Sequence, residues 1–400
     1  MARHCSWPHR NTPPFPGGEL LPDSSRTYAD TLKRHGTQGL LKDAALVLEQ
    51  WHGIIFEPAI YARVVEEMLI ATGNCSIWYN ASFLSTECSE GKVISVEVQH
   101  NQNLKHVAAK YFIDTTADAQ LCQSAGCEAR TGEDPQSLYH EPHAPETAGA
   151  RSINAVTLIY RVTRNMSRRL DLPVWDASPD CWFRRGWPYA AIGQYPDGDF
   201  NINMLPTMEG AEFLDYVESG KDGYAKAYAE CYRRVLGHWN FIQQHFPEFQ
   251  TCAIQYIAPS LGVRETRRVI GEYVLTEQDV VNGLSKQKHQ DIIALADHAL
   301  DTHGENSRGC PELDQPYGIP YRCLIPKGSR NLLIAGRCAS FSHIAASSCR
   351  LSRTMMDLGH AAGAAAVIAF DDKADISGID ISLLQKRLIS QGATLSQPAR

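Results

Sequence analysis

The sequence predicts an α/β protein whose binding site lies at the carboxyl edge of a parallel sheet. The main observation is a buried-strand pattern over residues 331–335, which ends at Gly336-Arg337. A loop of small and polar residues follows, and a helix is predicted from about residue 352 to 370. One face of that helix carries only small residues: Gly359, Ala362, Gly363 and Ala366. A strand, a small-residue loop and a small-faced helix, in that order, are typical of such a site.

Length and composition are those of an ordinary globular protein. The 400 residues suffice for two or three domains, and 44% hydrophobic with 21% charged residues excludes global disorder. The net charge of −7 does not favour non-specific nucleic-acid binding. The most apolar stretch, residues 355–370, is interrupted by Asp357 and His360 and is shorter than the ~20 residues of a bilayer span. The first residues lack the apolar region of a signal peptide. We therefore expect a cytoplasmic protein with neither a nucleic-acid nor a membrane partner.

Cysteine and glycine spacings exclude several common sites. No two of the twelve cysteines are spaced as C-x-x-C, so we expect reduced core thiols. His140-Glu141-Pro142-His143 has the wrong spacing for a zinc protease, and we expect no metal. The sequence contains no G-x-G, no P-loop and no G-x-S-x-G, so the usual dinucleotide, phosphate and nucleophile signatures are absent.

The first third of the chain predicts a loop, a helix and an antiparallel meander. Five prolines indicate a loop over residues 1–30, with helical periodicity from about 28 to 35. Apolar residues recurring at helical spacing predict a helix over 56–73 that ends at Gly73. Alternating apolar residues predict strands over 76–79, 92–98 and 106–113, the last of which runs into residues 114–118.

The middle of the chain combines patterns typical of strands with patterns typical of helices. Strand patterns cover residues 155–162 and 200–204, and a long amphipathic helix is predicted over 224–246. Residues 276–279 have the form of a capping box, and a further helix is predicted over 291–300. Three tryptophans lie between the two strands and are interpreted as core rather than as a substrate platform: Trp175, Trp182 and Trp187.

Four segments carry a family resemblance: residues 56–69, FIDTTAD at 112–118, LGVRETRR at 261–268 with GEY at 271–273, and residues 317–366, which include IPYRCLIPKGSRNLLIAGR. They resemble bacterial FAD-dependent oxidoreductases of the glutathione-reductase-like flavoprotein superfamily. The fourth segment is highly specific, whereas the first is weak alone. The resemblance implies an FAD/NAD(P)-binding Rossmann-like domain with an inserted α+β substrate domain, and FAD as cofactor.

The sequence departs from that family at two places. The family opens with a strand, a G-x-G-x-x-G turn and a helix, whereas the segment at residues 16–28 looks like what normally follows them. We therefore expect the Rossmann-like domain to be incomplete at its N-terminus, with weakened flavin affinity and exposed sheet edges. Ala117 and Gln120 also stand where the family has Gly and Asp.

Three residues are predicted to take part in catalysis. The resemblance places Arg337 against flavin or substrate, with a surface ion pair as the alternative. His343 is predicted to donate a proton or to orient the substrate. Arg264 is predicted to clamp a substrate carboxylate with Glu265 holding it, and a solvated, salt-bridged turn is the alternative.

The predicted cofactor contacts form two groups. Asp114 either fixes the loop after its strand or plays a plain capping role. The helix start near Thr354 and Met355 is predicted to stabilise negative charge on the reduced flavin. The complete predicted set is Asp114, Thr115, Thr116, Ala117, Asp118, Gly336, Arg337, Ser340, Ser348, Arg350, Thr354 and Met355.

The predicted function is hydride transfer between a small organic substrate and the flavin. The domains are expected at residues 1–140 and 311–372 for the cofactor and at 141–310 for the substrate, with a tail at 373–400. The alternative is a flavin-free remnant of the fold that binds a ligand or a partner without catalysis. The oligomeric state stays open, with a homo-oligomer as one option.

Overall fold

The structure is a computed structural model that describes residues 47–51, 58–175, 189–195, 197–204, 206–245, 249–303 and 313–396. The loop predicted at residues 1–30 and the helix predicted at 28–35 lie outside these residues, as do Trp182 and Trp187. Trp175 is 42% exposed, so its assignment to the core is wrong.

Fourteen strands are present among the described residues. They are β1 (Val47–Trp51), β2 (Ala81–Ser89), β3 (Lys92–His100), β4 (Asn103–Ala108), β5 (Phe112–Asp114), β6 (Ala129–Thr131), β7 (Ile159–Thr163), β8 (Tyr189–Gln194), β9 (Phe200–Met204), β10 (Ala253–Ile257), β11 (Arg267–Val269), β12 (Ile292–Ala296), β13 (Tyr317–Pro320) and β14 (Leu332–Ile334).

Nine α-helices are present in the same ranges. They are α1 (Pro58–Ala71), α2 (Gln120–Ser124), α3 (Gln136–Tyr139), α4 (Gly210–Glu218), α5 (Gly223–His245), α6 (Glu277–Asn282), α7 (His343–Cys349), α8 (Ser352–Asp372) and α9 (Ile381–Ser390). No helix in the described residues combines the length and the apolar character needed to cross a membrane.

The chain divides into two compact units. The first comprises the residues up to 60 and residues 154–264, and the second comprises 61–153 and 265–400. Each unit is therefore assembled from segments that are distant in sequence. The boundaries predicted at residues 140, 310 and 372 stay a prediction.

A five-stranded sheet forms the centre of the first unit, in the order β1-β8-β9-β7-β10. Tyr160 and Ile202, on the central strands, are fully buried. The long helix α5, predicted at 224–246 and confirmed, contributes the buried Cys231, Val235 and Ile242 to the same core. These apolar residues reach the core together because positions i, i+4 and i+7 lie on the same face of a helix.

The second unit holds a three-stranded meander, β2-β3-β4, and a parallel pair, β5-β14. Glu90-Gly91 and Asn101 make the meander turns with positive φ. Residues 76–79 are not a strand, since the first strand of the meander is β2. The strand predicted over 106–113 is confirmed over 106–108, at the end of β4, and is wrong beyond it, because the chain then leaves the meander and β5 pairs with β14 instead.

Two further predictions in the second unit are corrected. Residues 291–300 do not form a helix, because residues 292–296 form strand β12, which pairs with β13 and is buried at every position. A short, fully apolar run fits either element, and only its partner decides between them. The predicted loop between residues 338 and 350 contains helix α7, which Ser342 caps by accepting a hydrogen bond from the Ala345 amide.

Other elements agree with the sequence. Helix α1 forms within the predicted 56–73, although none of its side chains is buried and Ile60 is 49% exposed. Strands β9 and β14 and helix α8 form where predicted, and strand β7 covers the second half of the predicted 155–162. The capping box at Thr276 is confirmed, with the Thr276 amide donating to the Asp279 carboxylate at 3.1 Å.

Candidate functional site

The carboxyl ends of β5 and β14 lie side by side, because the two strands pair in parallel with Ile334 opposite Asp114. The buried Asp114 carboxylate accepts hydrogen bonds from the Thr116 amide and hydroxyl at 2.9 and 2.6 Å and from the Cys122 amide at 2.8 Å. Asp114 therefore holds the loop after β5 and the start of α2, as the loop-fixing and capping interpretations both required.

That loop presents Asp118 to the loop that follows β14. The Arg337 guanidinium donates to Asp118 Oδ1 at 3.0 Å, and the Thr266 hydroxyl donates to the same oxygen at 2.6 Å. Arg337 is thus ion-paired and only 21% exposed in its side chain. Two strand ends and the segment before β11 therefore meet at one carboxylate.

Two further features of this edge concern a hydrogen-bond donor and a backbone position. Arg337 Nε is buried and has no hydrogen-bond partner within the described part of the chain. A Cβ added at Gly336 would meet only Cys338 Sγ, at 3.9 Å. A buried donor and a free backbone face therefore occur side by side at the end of β14.

His343 is held by a carboxylate at the start of α7. Its Nδ1 lies 3.0 Å from the Glu265 carboxylate, and both side chains are almost fully buried. The His343 amide also donates to Asp134 Oδ2 at 2.9 Å. A carboxylate on Nδ1 fixes the ring and leaves Nε2 for other partners.

Arg268 completes this network from strand β11. Its Nε lies 3.0 Å from Glu265, Nη1 donates to Asp134 at 2.6 Å and to the Phe341 carbonyl at 3.0 Å, and Nη2 donates to the Gly132 carbonyl. Burial alone would lower the pKa of Arg268, but Glu265 and Asp134 raise it above its ordinary value. The solvated-turn interpretation is wrong for Glu265 and Arg268, which are 2% and 1% exposed.

Sequence reasoning missed a second layer behind His343. The Glu141 carboxylate accepts hydrogen bonds from the Ser342 hydroxyl and, at 2.7 Å, from the Glu277 amide, while Glu277 pairs with His143 Nδ1. Burial raises the pKa of Glu141. The motif at 140–143 therefore contributes to the packing around α7. Among the described residues no group of three or more His, Cys, Asp or Glu side chains could hold a metal ion.

Ser348 and Arg350 lie in a third cluster, at the end of α7. The Ser348 hydroxyl donates to the His298 carbonyl at 2.5 Å and lies 2.7 Å from the Tyr317 hydroxyl. Arg350 donates to Asp301 Oδ2 at 2.9 Å, and its buried Nη1 has no hydrogen-bond partner among the described residues. Burial lowers the pKa of His298 to about 4.

The remaining predicted cofactor residues differ in accessibility. Ser340 is fully buried and accepts a hydrogen bond from the Gly271 amide at 2.9 Å, while Thr354 is 1% exposed. Met355 is half-buried, and Thr115 and Ala117 are exposed. The structure therefore gives Ser340 a packing role, whereas Thr115 and Ala117 are free to face a ligand.

Arg264 belongs to the first unit. It donates from Nη1 to the Ala155 carbonyl at 2.9 Å and to the Thr157 hydroxyl at 3.1 Å. These bonds tie it to the segment before β7. Its role as a substrate clamp stays a prediction.

Helix α8 has two different small-residue faces. Ala361, Ala362 and Ala365 are fully buried, whereas Gly359 and Gly363 are half-buried and a Cβ added to either glycine would meet nothing within 4 Å. Ala362 therefore lies on the packed face and not with the glycines. Ala366 is half-buried like the two glycines, so the less buried face comprises Gly359, Gly363 and Ala366.

The described residues form a mixed helix-and-sheet fold in which polar groups gather at the carboxyl edge of the parallel pair β5-β14. The chain belongs to the FAD-dependent oxidoreductase family, whose model matches residues 20–388. This confirms the predicted resemblance at the level of the family, and FAD is the cofactor that the family assigns. No match was found among curated proteins.

Several solved structures are similar to the chain. One is a geranylgeranyl bacteriochlorophyll reductase-like protein from Thermoplasma acidophilum, at 12% identity and TM-score 0.38, over 89% of this chain and 68% of that one. Another is an aromatic hydroxylase from angucycline biosynthesis, at 12% and 0.38, over 84% and 47%. A third is a flavin-dependent brominase, at 10% and 0.37, over 94% and 74%. This chain thus spans about half the length of the hydroxylase.

Proposed function

We propose that this chain transfers a hydride between a small organic substrate and FAD, with the cofactor at the carboxyl edge of β5 and β14 and His343 as the proton-handling group. Family membership supports the cofactor, and the His343–Glu265 pair supports the chemistry. One set of contacts carries the proposal. Asp118 accepts hydrogen bonds from Arg337 and Thr266, and Glu265, the residue before Thr266, binds His343. These contacts connect the end of β14 to the histidine.

The residues present fit an anionic, planar cofactor. Arg337 Nε and Arg350 Nη1 are buried donors without partners in the described residues, and either could serve a phosphate or a ring carbonyl. Gly336 lets a ring or ribose approach the backbone, because no side chain covers it. Thr115 and Ala117, on the opposing loop, are exposed. The other predicted cofactor contacts stay predictions.

Different side chains of the protein would orient the ligand and transfer the proton. Asp118 holds Arg337 in place, so that its charge is oriented before the ligand arrives. Glu265 accepts the Nδ1 proton of His343, which leaves Nε2 to take or return a proton of the substrate. When bound, FAD supplies the two-electron acceptor or donor for the reaction.

The first test is the visible absorption spectrum of the purified chain before and after incubation with FAD and desalting. Oxidised-flavin bands that remain with the protein support the proposal. A chain that stays colourless contradicts it and leaves the flavin-free binding protein as the remaining function.

A matched pair of variants then distinguishes residues that bind the cofactor from the residue that transfers the proton. Gly336→Val places a branched side chain where only Cys338 is near, so the chain should fold but retain less FAD. His343→Asn should retain FAD, because the ring handles the proton rather than the cofactor, and should lose reduction of the bound flavin by about 10²–10⁴-fold with an active substrate. Equal loss of FAD in both variants would contradict this division of roles.

A further inference from the structure

Two asparagines on the central strand β9 of the first unit lie in an arrangement that the folding of the strand does not explain. Asn201 and Asn203 are 6% and 8% exposed, yet Oδ1 of each has no hydrogen-bond partner in the described part of the chain. A buried carboxamide oxygen without a partner costs about 1–3 kcal/mol, so two within three residues are unusual.

Strand geometry places both carboxamides on the same face of the sheet. Side chains at i and i+2 share a face and lie about 6.6 Å apart along the strand. The register places Ile159 and Ala191 opposite Asn203, and Gly193 and Arg161 opposite Asn201. Arg161 is the one of these four neighbours with a polar side chain, and its guanidinium donates to two carboxylates.

The charged groups near this face are already balanced. Arg161, opposite Asn201 on β7, donates to Asp199 and Asp197 at 2.9 Å each, and Arg168 lies 3.3 Å from the same Asp197 oxygen. Two cations thus face two carboxylates. A ligand that brings its own charge would meet no unmatched counter-charge here.

We propose that Asn201 and Asn203 form a binding site for a neutral polyhydroxylated ligand, such as a monosaccharide or a cyclitol. A hydroxyl group both donates and accepts, so it can satisfy either atom of a carboxamide. Two hydroxyl groups of one ring can reach two carboxamides on the same face. The site goes beyond the flavin chemistry, because every residue in it belongs to the first unit and none takes part in the proposed redox site.

The test uses the full chain with four probes: D-glucose, D-mannose, myo-inositol and D-glucuronate. Binding is measured by titration calorimetry on the wild type, Asn201→Leu, Asn203→Leu and the control Asn240→Leu. The control removes a carboxamide of the same unit that accepts a bond from Gln244 on helix α5. The absorption spectrum with FAD is recorded on the same preparations, so that loss of the flavin site is seen separately.

We expect at least one neutral probe to bind the wild type and the control, and each Leu variant on β9 to weaken that binding at least tenfold. The thermal midpoints of Asn201→Leu and Asn203→Leu should not fall below that of the wild type, because no protein hydrogen bond is lost. The proposal is overturned if no neutral probe binds at millimolar concentration, if glucuronate binds more tightly than the neutral probes, or if both β9 variants bind like the wild type. It is also overturned if both variants melt well below the wild type, since that would reveal protein partners for the carboxamides.

Discussion

At the scale of single residues, the candidate site depends on charges that are buried in pairs. Arg268 sits between Glu265 and Asp134, and each carboxylate also binds His343, one through the ring and one through the amide. The ring orientation of His343 is therefore set by charged groups that are themselves buried. A single substitution in this network alters both stability and site geometry.

Replacing Arg268 by Met should lower the free energy of unfolding by about 3–5 kcal/mol, because two buried carboxylates lose their compensating cation. Urea denaturation of the full chain measures the change. Arg267→Met is the matched control, since Arg267 is half-buried on the same strand, and it should change stability by no more than about 0.5 kcal/mol. Equal effects of the two substitutions would show that Arg268 is not the anchor of the network.

At the scale of elements, helix α5 and strand β7 meet through a buried polar pair. The Tyr160 hydroxyl lies 2.8 Å from His238 Nδ1, and both residues are fully buried. Burial lowers the pKa of His238 to about 3. The neutral ring is therefore the form that packs between this strand and this helix.

Stability should fall as the pH decreases from about 6.5 toward 3. The unfolded chain binds a proton at His238 near its ordinary pKa of about 6.5, whereas the folded chain resists protonation until about pH 3. His298, whose pKa burial lowers to about 4, acts with the same sign. His238→Gln should flatten the pH dependence measured by denaturation at several pH values, and the control His106→Gln, at an exposed position, should not. A slope that is unchanged in His238→Gln would refute the assignment.

Alanine substitutions at two glycines of the second unit should change the free energy of unfolding in opposite directions. A Cβ at Gly271 would lie 2.8 Å from Ser340 Cβ and 2.9 Å from the Ile325 carbonyl oxygen, so Gly271→Ala should lose about 1–3 kcal/mol. A Cβ at Gly359 meets nothing within 4 Å inside helix α8, so Gly359→Ala should gain up to about 1 kcal/mol. Thermal unfolding without FAD compares the two, and a loss in Gly359→Ala would show that this helix face is already occupied by protein.

At the scale of the whole molecule, the family match spans both compact units, and the second of them contains the strand edge proposed to hold the cofactor. A ligand that binds only the folded chain stabilises it by mass action. The cofactor should therefore be visible in the unfolding of the entire protein as well as in its spectrum.

FAD at 100 times its dissociation constant should stabilise the folded chain by about 2.7 kcal/mol. The rise of the thermal midpoint with FAD concentration measures this. Arg337→Met should reduce the rise, because Arg337 Nε is buried without a hydrogen-bond partner among the described residues and is proposed to bind the cofactor. Riboflavin in place of FAD tests whether the adenosine diphosphate portion contributes, and an FAD-independent midpoint in the wild type would contradict the cofactor assignment.

The sequence by itself determined the family, the helices α1, α5 and α8, and the strands β3, β9 and β14. These follow from periodicities and motifs that lie within short stretches of chain. Tertiary structure decided what depended on distant partners: β12 is a strand because β13 pairs with it, and β5 leaves the meander because β14 receives it. It also decided that Glu265 is buried against Arg268 and His343, and that Oδ1 of Asn201 and of Asn203 is buried with no hydrogen-bond partner among the described residues. Burial and long-range pairing are properties of the packed chain, and no local pattern records them.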